Sequence, residues 1–142
     1  MKKKIAVLLL AALLFVNIMP VAVAGDSQIV PYASDYLDGC AITTVPEGNR
    51  KITVEYTVYG TDDMTEIGAT KVRIQRYDTV IEDWVNYTSL AGSSTKNDMS
   101  HSASVSFYGT AGVEYRAVIH AFAKKGTGSD SREYDGFGAV CK

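Results

Sequence analysis

The segment "KITVEYTVYG" at residues 51–60 constrains the fold more than any other. Ile52, Val54, Tyr56 and Val58 alternate with Lys51, Thr53, Glu55 and Thr57. A period of two places one set on each face of an extended strand and leaves no apolar stripe for a helix. The same alternation recurs in "TKVRIQRYD" (70–78), "IEDWVNYTS" (81–89), "SASVSFYG" (102–109), "YRAVIHAFAKK" (115–125) and "REYDGFGAV" (132–140), and more weakly in "YLDGCAITTV" (36–45). That makes seven expected strands with turn signals between them, the pattern of an all-β sandwich. "TDDMTEIGA" (61–69) is expected to form one helical turn, with Thr61 as cap and Gly68 as stop. "LAGSSTKNDMS" (90–100) is expected to be a polar loop.

The first 24 residues stand outside this pattern. "MKKK" is a positive n-region, "IAVLLLAALLFV" (5–16) an apolar h-region, and Ala22-Val23-Ala24 a small-residue cleavage box before Gly25. An N-terminal membrane anchor is the alternative, but the apolar run is short for a span. The expected organisation is a signal peptide over 1–24, an N-terminal extension over 25–35 and one β-domain over 36–142, secreted and with no membrane attachment after cleavage. Losing Lys2, Lys3 and Lys4 from 14 basic residues leaves 11 against 16 acidic ones. That balance argues against nucleic acid as a partner, because phosphate binding needs a basic stripe.

Export places Cys40 and Cys141 in an oxidising compartment, where a lone pair reads as one disulfide; two free thiols are the alternative. No cofactor is indicated. Asp62, Asp63 and Glu66 lack the alternating acids and central glycine of a calcium loop, and read as helix-start acids. The two histidines, His101 and His120, stand in no nucleophile motif, so no enzyme is expected.

Tyr115 follows "GTAG" and precedes Ala117 by two residues. "GTAGVEYRAVIHAFA" resembles the sixth-strand entry of fibronectin type III and immunoglobulin-like domains. There a tyrosine turns its hydroxyl back to upstream backbone and pins the corner between the fifth and sixth strands. An ordinary strand aromatic is the alternative. With the strands lettered A, B, C, C′, E, F and G, the resemblance implies two sheets, ABE and C′CFG, and a first and last strand close enough for a Cys40–Cys141 bond. "KITVEYTVYGTDDMTEIGATKVRIQRYD" and "YGTAGVEYRAVIHAFAKKGTGSDSREY" are also similar to a family of small exported domains of unknown function from Gram-positive bacteria. That resemblance covers roughly residues 50–134 and implies secretion and a β-domain, with no reaction attached.

Parity then selects a candidate site. If Tyr115, Ala117, Ile119 and Ala121 point inward, Arg116, Val118, His120 and Phe122 point outward. The same rule on the neighbouring strands sends Tyr77 and Trp84 to that surface, unless the register of the fourth strand slips and Trp84 is core. Tyr77, Trp84, Arg116, Val118, His120 and Phe122 would form one exposed patch on the C′CFG sheet, of the size and residue types that mark interaction sites. The expected function is a secreted, non-enzymatic binding module for an extracellular glycan or protein. A structural or self-associating protein is the alternative.

Overall fold

The alternating apolar residues do meet in one core. Ile52, Val54, Tyr56 and Val58, at 2% exposure or less, pack with Val72, Ile74, Tyr115, Ala117, Ile119 and Ala121 in a single buried cluster. The computed structural model describes residues 34–142, and the expected signal peptide and most of the N-terminal extension lie outside them. Seven strands follow in order: β1 (Leu37–Gly48), β2 (Lys51–Asp78), β3 (Asp83–Ala91), β4 (Ser94–Tyr108), β5 (Glu114–Lys125), β6 (Gly128–Asp135) and β7 (Ala139–Val140). No helix occurs among the described residues.

Every pairing is antiparallel, and all seven strands belong to one sheet curled into a half-barrel around the core. The two separate sheets expected from the sequence are joined because β2 is continuous for 28 residues. Its first half pairs with β1 and β4, and its second half with β3 and β5, which in turn carries β6 and β7. The strand neighbours are therefore those of the lettered scheme, on an uninterrupted ribbon.

The helical turn expected at 61–69 is absent, and the reason lies far away in sequence. Glu66 pairs with Lys124 at 3.0 Å and Asp62 pairs with Lys125. Met64 and Ile67 turn into the core at 1% and 0% exposure. A bulge between Tyr59 and Met64 absorbs the extra residues. The polar loop expected at 90–100 is mostly strand as well, since 94–98 pairs with 64–68. Here the ribbon is pinched. The Ala69 amide donates to the Ser93 carbonyl at 2.9 Å, and a Cβ on Gly68 would stand 2.2 Å from that oxygen. Only glycine permits this approach.

The expected Cys40–Cys141 disulfide is not formed; both thiols are free. Cys40 lies opposite Val58, whereas Cys141 Sγ is 3.5 Å from the Arg50 carbonyl, beside the start of β2. Seven residues of extended β2 separate those levels, about 23 Å at ~3.3 Å per residue. A disulfide tolerates a Cα separation of about 7 Å at most. The first and last strands do run side by side from one pole, with Tyr36 against Gly128 and Ile42 against Gly136, but Cys40 lies near the start of the one and Cys141 beyond the end of the other. Burial pushes the Cys40 thiol up to about 11.

Candidate functional site

Strand β5 carries the centre of the expected site and is buried on both faces. Its inward row is Tyr115, Ala117, Ile119 and Ala121, as parity requires. The Tyr115 hydroxyl accepts the Thr110 amide at 2.9 Å, and its ring packs edge-on against Phe107 and Tyr87 at 5.4 and 5.1 Å. Gly109 lies so close that a Cβ there would meet the Tyr115 ring at 2.7 Å. The bond ties the start of the β4–β5 connection to the first inward side chain of β5.

The outward row differs from expectation. Val118 is 1% and Phe122 9% exposed, so neither contributes to an open apolar patch. Val118 lies between Arg73 on β2 and Asp135 on β6. Arg73 reaches diagonally across it to Glu133 at 2.9 Å, and Arg116 reaches Asp135 at 3.5 Å. Long arginine stems of this kind shield apolar surface while their heads stay paired in water. Lys124 covers Phe122 in the same way, its ammonium 5.1 Å from the ring centre. The parity was right; what fills the space above the outward row is long-range pairing.

His120 belongs to this ionic layer. Its Nε2 is 3.0 Å from Glu133 Oε1. Burial lowers its proton affinity below the ordinary imidazole value, Glu133 opposes that shift, and Lys71 and Arg73 add to it. The ring is therefore neutral at neutral pH. Among the described residues no serine, threonine or cysteine side chain hydrogen-bonds the ring; the Thr70 hydroxyl donates instead to the His120 carbonyl at 3.3 Å.

Tyr77, Trp84 and Arg116 do come together, at one end of the sheet. Tyr77 pairs with Trp84 across β2 and β3, with ring centres 5.3 Å apart in an edge arrangement. The Arg116 guanidinium stacks over the indole at 4.7 Å while its Nε donates to Gln75 Oε1 at 2.8 Å. The indole reaches the chain at Gly138, where a Cβ would lie 3.0 Å from Trp84 Cη2. Trp84 is consequently half-buried, not the open platform expected. His120 and Phe122 lie two and three outward positions further along β5 and do not join this group.

The same pole holds what the sequence reading missed. Val80 and Ile81 at the tip of the β2–β3 turn are 89% and 61% exposed, Phe137 is 90% and Val140 51%. The turn is held: Asp78 Oδ1 accepts the Val80 and Ile81 amides at 2.9 and 3.4 Å, and Glu82 takes a positive φ of 54°. Between tip and C-terminal segment runs a groove of about 480 Å³, lined by Tyr77, Asp78, Thr79, Val113, Glu114 and Val140 among others. The signals were present in the sequence. Val80-Ile81 occupies a turn where polar residues are usual, and Phe137 is isolated between Gly136 and Gly138. No protein-family model and no curated protein matches this chain.

Proposed function

We propose that the chain is an exported, non-enzymatic binding domain on an immunoglobulin or fibronectin type III-like scaffold, and that it takes a protein partner at the pole formed by the β2–β3 tip and the C-terminal segment. The strand neighbours and the Tyr115–Thr110 bond support the scaffold reading. The single observation that carries the site is the concentration of exposed large apolar side chains at that pole: Val80, Ile81, Phe137 and Val140. Their neighbours Tyr77, Trp84 and Arg116 are the residue types that dominate binding energies. Aliphatic groups beside a groove suit a protein surface better than sugar rings, which stack on open aromatic faces; here the indole face is occupied by Arg116. The leader-like "MKKKIAVLLLAALLFV" supports export.

An array of extracellular proteins and glycans probed with the chain and with Val80→Asp/Ile81→Asp and Phe137→Ser variants tests the reading. These side chains are exposed, so the variants should fold normally and lose the captured partner. A ligand retained by all of them, or lost on changing Arg73 or His120 instead, would refute the assignment to the pole.

A further inference from the structure

Five strands of the sheet, β1, β3, β4, β6 and the two-residue β7, have a hydrogen-bonded neighbour on one side only among the described residues. Exposed edges of this kind invite pairing with another chain, and proteins protect them with charge, proline, bulges or brevity. Four of the five are protected, β7 by being only two residues long. β1 contains Asp38, Pro46 and Glu47 and is irregular at Leu37/Gly39 and Pro46/Gly48. β6 has Asp130, Arg132, Glu133 and Asp135 among its eight residues. β3 starts at Asp83 and is broken by a register shift opposite Ile74/Gln75.

β4 is not protected. From Met99 to Tyr108 it runs "MSHSASVSFY", with no Asp, Glu, Lys, Arg, Pro or Gly. Its pairing with β2 is regular from Tyr59↔Ser100 to Lys51↔Tyr108. Burial keeps His101 below the ordinary imidazole value, and its Nε2 lies 2.8 Å from Ser93 Oγ, so the run is uncharged at neutral pH. The outward side chains at the centre of the run, Ser102, Ser104 and Ser106, are small enough for close approach, and the larger Tyr108 stands at its end. The inward ones tell the same story. Val54 and Tyr56 on β2 are 0% and 2% exposed, whereas their β4 partners Val105 and Ala103 are only half-buried. The core is open along this edge.

We propose that the β4 edge, Met99–Tyr108, is a self-recognition site at which a second copy of the chain pairs antiparallel about a two-fold axis at Ser104. The occupant follows from self-complementarity. In this register Ser102 faces Ser106 of the partner copy, Ser100 faces Tyr108, and Ala103 faces Val105. The nearest charges, Lys96 and Asp98, fall beyond the paired run, so no like charges oppose each other. Pairing joins two three-stranded surfaces into one, and it covers the half-buried Ala103 and Val105. A symmetric pair also closes, leaving only protected edges outside.

The test compares sedimentation of the full chain over a concentration series with that of Ser104→Lys, which sets two ammonium groups face to face on the axis. Ser104 is exposed, and circular dichroism checks that the variant folds. Ser102→Lys/Ser106→Glu, which sets opposite charges across the same axis, should dimerise. So should the parent chain, and Ser104→Lys should weaken dimerisation roughly tenfold or more, the equivalent of ~1.4 kcal/mol. Paired residues lie about 4.5–5.5 Å apart in Cα, so Ser104→Cys should oxidise to a covalent dimer that neither the parent nor Thr43→Cys on β1 forms. A monomer at every concentration, an association unchanged by Ser104→Lys, or equal cross-linking through Thr43→Cys would each overturn the proposal. The last outcome would indicate head-to-tail β1–β4 growth instead.

Discussion

Replacing Tyr115 by phenylalanine removes one oxygen from a well-defined place. The Tyr115 side chain is 1% exposed, and its hydroxyl accepts the Thr110 amide at 2.9 Å. Phenylalanine keeps the ring contacts with Phe107 and Tyr87 and the fit against Gly109. The change therefore isolates the hydrogen bond. A buried donor left without a partner costs about 1–3 kcal/mol, whereas an average bond exchanged for water costs about 0.5–1.5. Thr110 is an exposed residue, so its amide can find water once the corner loosens. The expected loss is thus about 1 kcal/mol, rising towards ~2 if the ring stays in place and keeps water out. For a domain of about this size that lowers the thermal midpoint by roughly 4–9 °C. Urea unfolding followed by circular dichroism measures it, with an unchanged m-value expected. Gly109→Ala supplies the counterpart, since its methyl would press on the Tyr115 ring. The two changes should be non-additive in a double-mutant cycle. An unaltered midpoint for Tyr115→Phe would show that the hydroxyl does not pin this corner.

Gly68→Ala should destabilise the fold by more than ~2 kcal/mol, because the new methyl meets backbone at Ser93 and Ser94 that cannot swing aside; a wild-type urea midpoint would disprove the pinch. The intact mass should be the same with and without reductant, and two thiols should titrate after denaturation, with Cys40 slow to alkylate in the native chain; a gain of two hydrogens on reduction would reinstate the disulfide. Stability should fall on acidification in two stages. His101 and His120 bind protons less readily folded than unfolded, so their contribution is complete above about 6.5 and declines as pH drops below it. Glu66, Asp62 and Asp130, lowered chiefly by hydrogen bonds from Lys124, Lys125 and Ser34, lose theirs as pH falls through the lowered carboxylate range. A flat urea midpoint between neutral pH and 5 in the parent would contradict the first stage, and His120→Gln should make that stage shallower.

Strand identity and facing were legible because a period of two is a local property. Each β5 residue could be assigned to a face from its neighbours alone, and the inward row is buried as assigned. Tyr115 was legible because its partner, Thr110, is only five residues away. Other features depend on partners that proximity in sequence does not reveal. Asp62 and Glu66 look like the acids of a helix start, and their partners Lys125 and Lys124, some sixty residues on, hold them in a strand. Outward parity at Val118 was correct, yet its burial needs Arg73 to span to Glu133. The cysteines looked adjacent because they flank the domain in sequence, and only the registers of β1 and the C-terminal segment separate them.

These distances also bear on the binding surface proposed above. A partner approaching the face above Val118 must break or bridge Arg73–Glu133 and Arg116–Asp135, and beneath them it finds one valine. Half-exposed pairs of this kind are each worth about 1 kcal/mol or less, but the apolar area gained in return is small. At the pole the balance reverses. Val80, Ile81 and Phe137 are already stripped of protein neighbours, so burying them gains apolar area without breaking a contact. Asp78 holds the tip amides and Arg116 clamps the indole beside the groove, so the surface around the exposed groups is ordered before any partner arrives. Ordering costs are a large share of what association must overcome. The arginines thus act in two ways on one sheet: Arg73 closes the middle of the face, and Arg116, stacked on Trp84, stiffens the end that stays open.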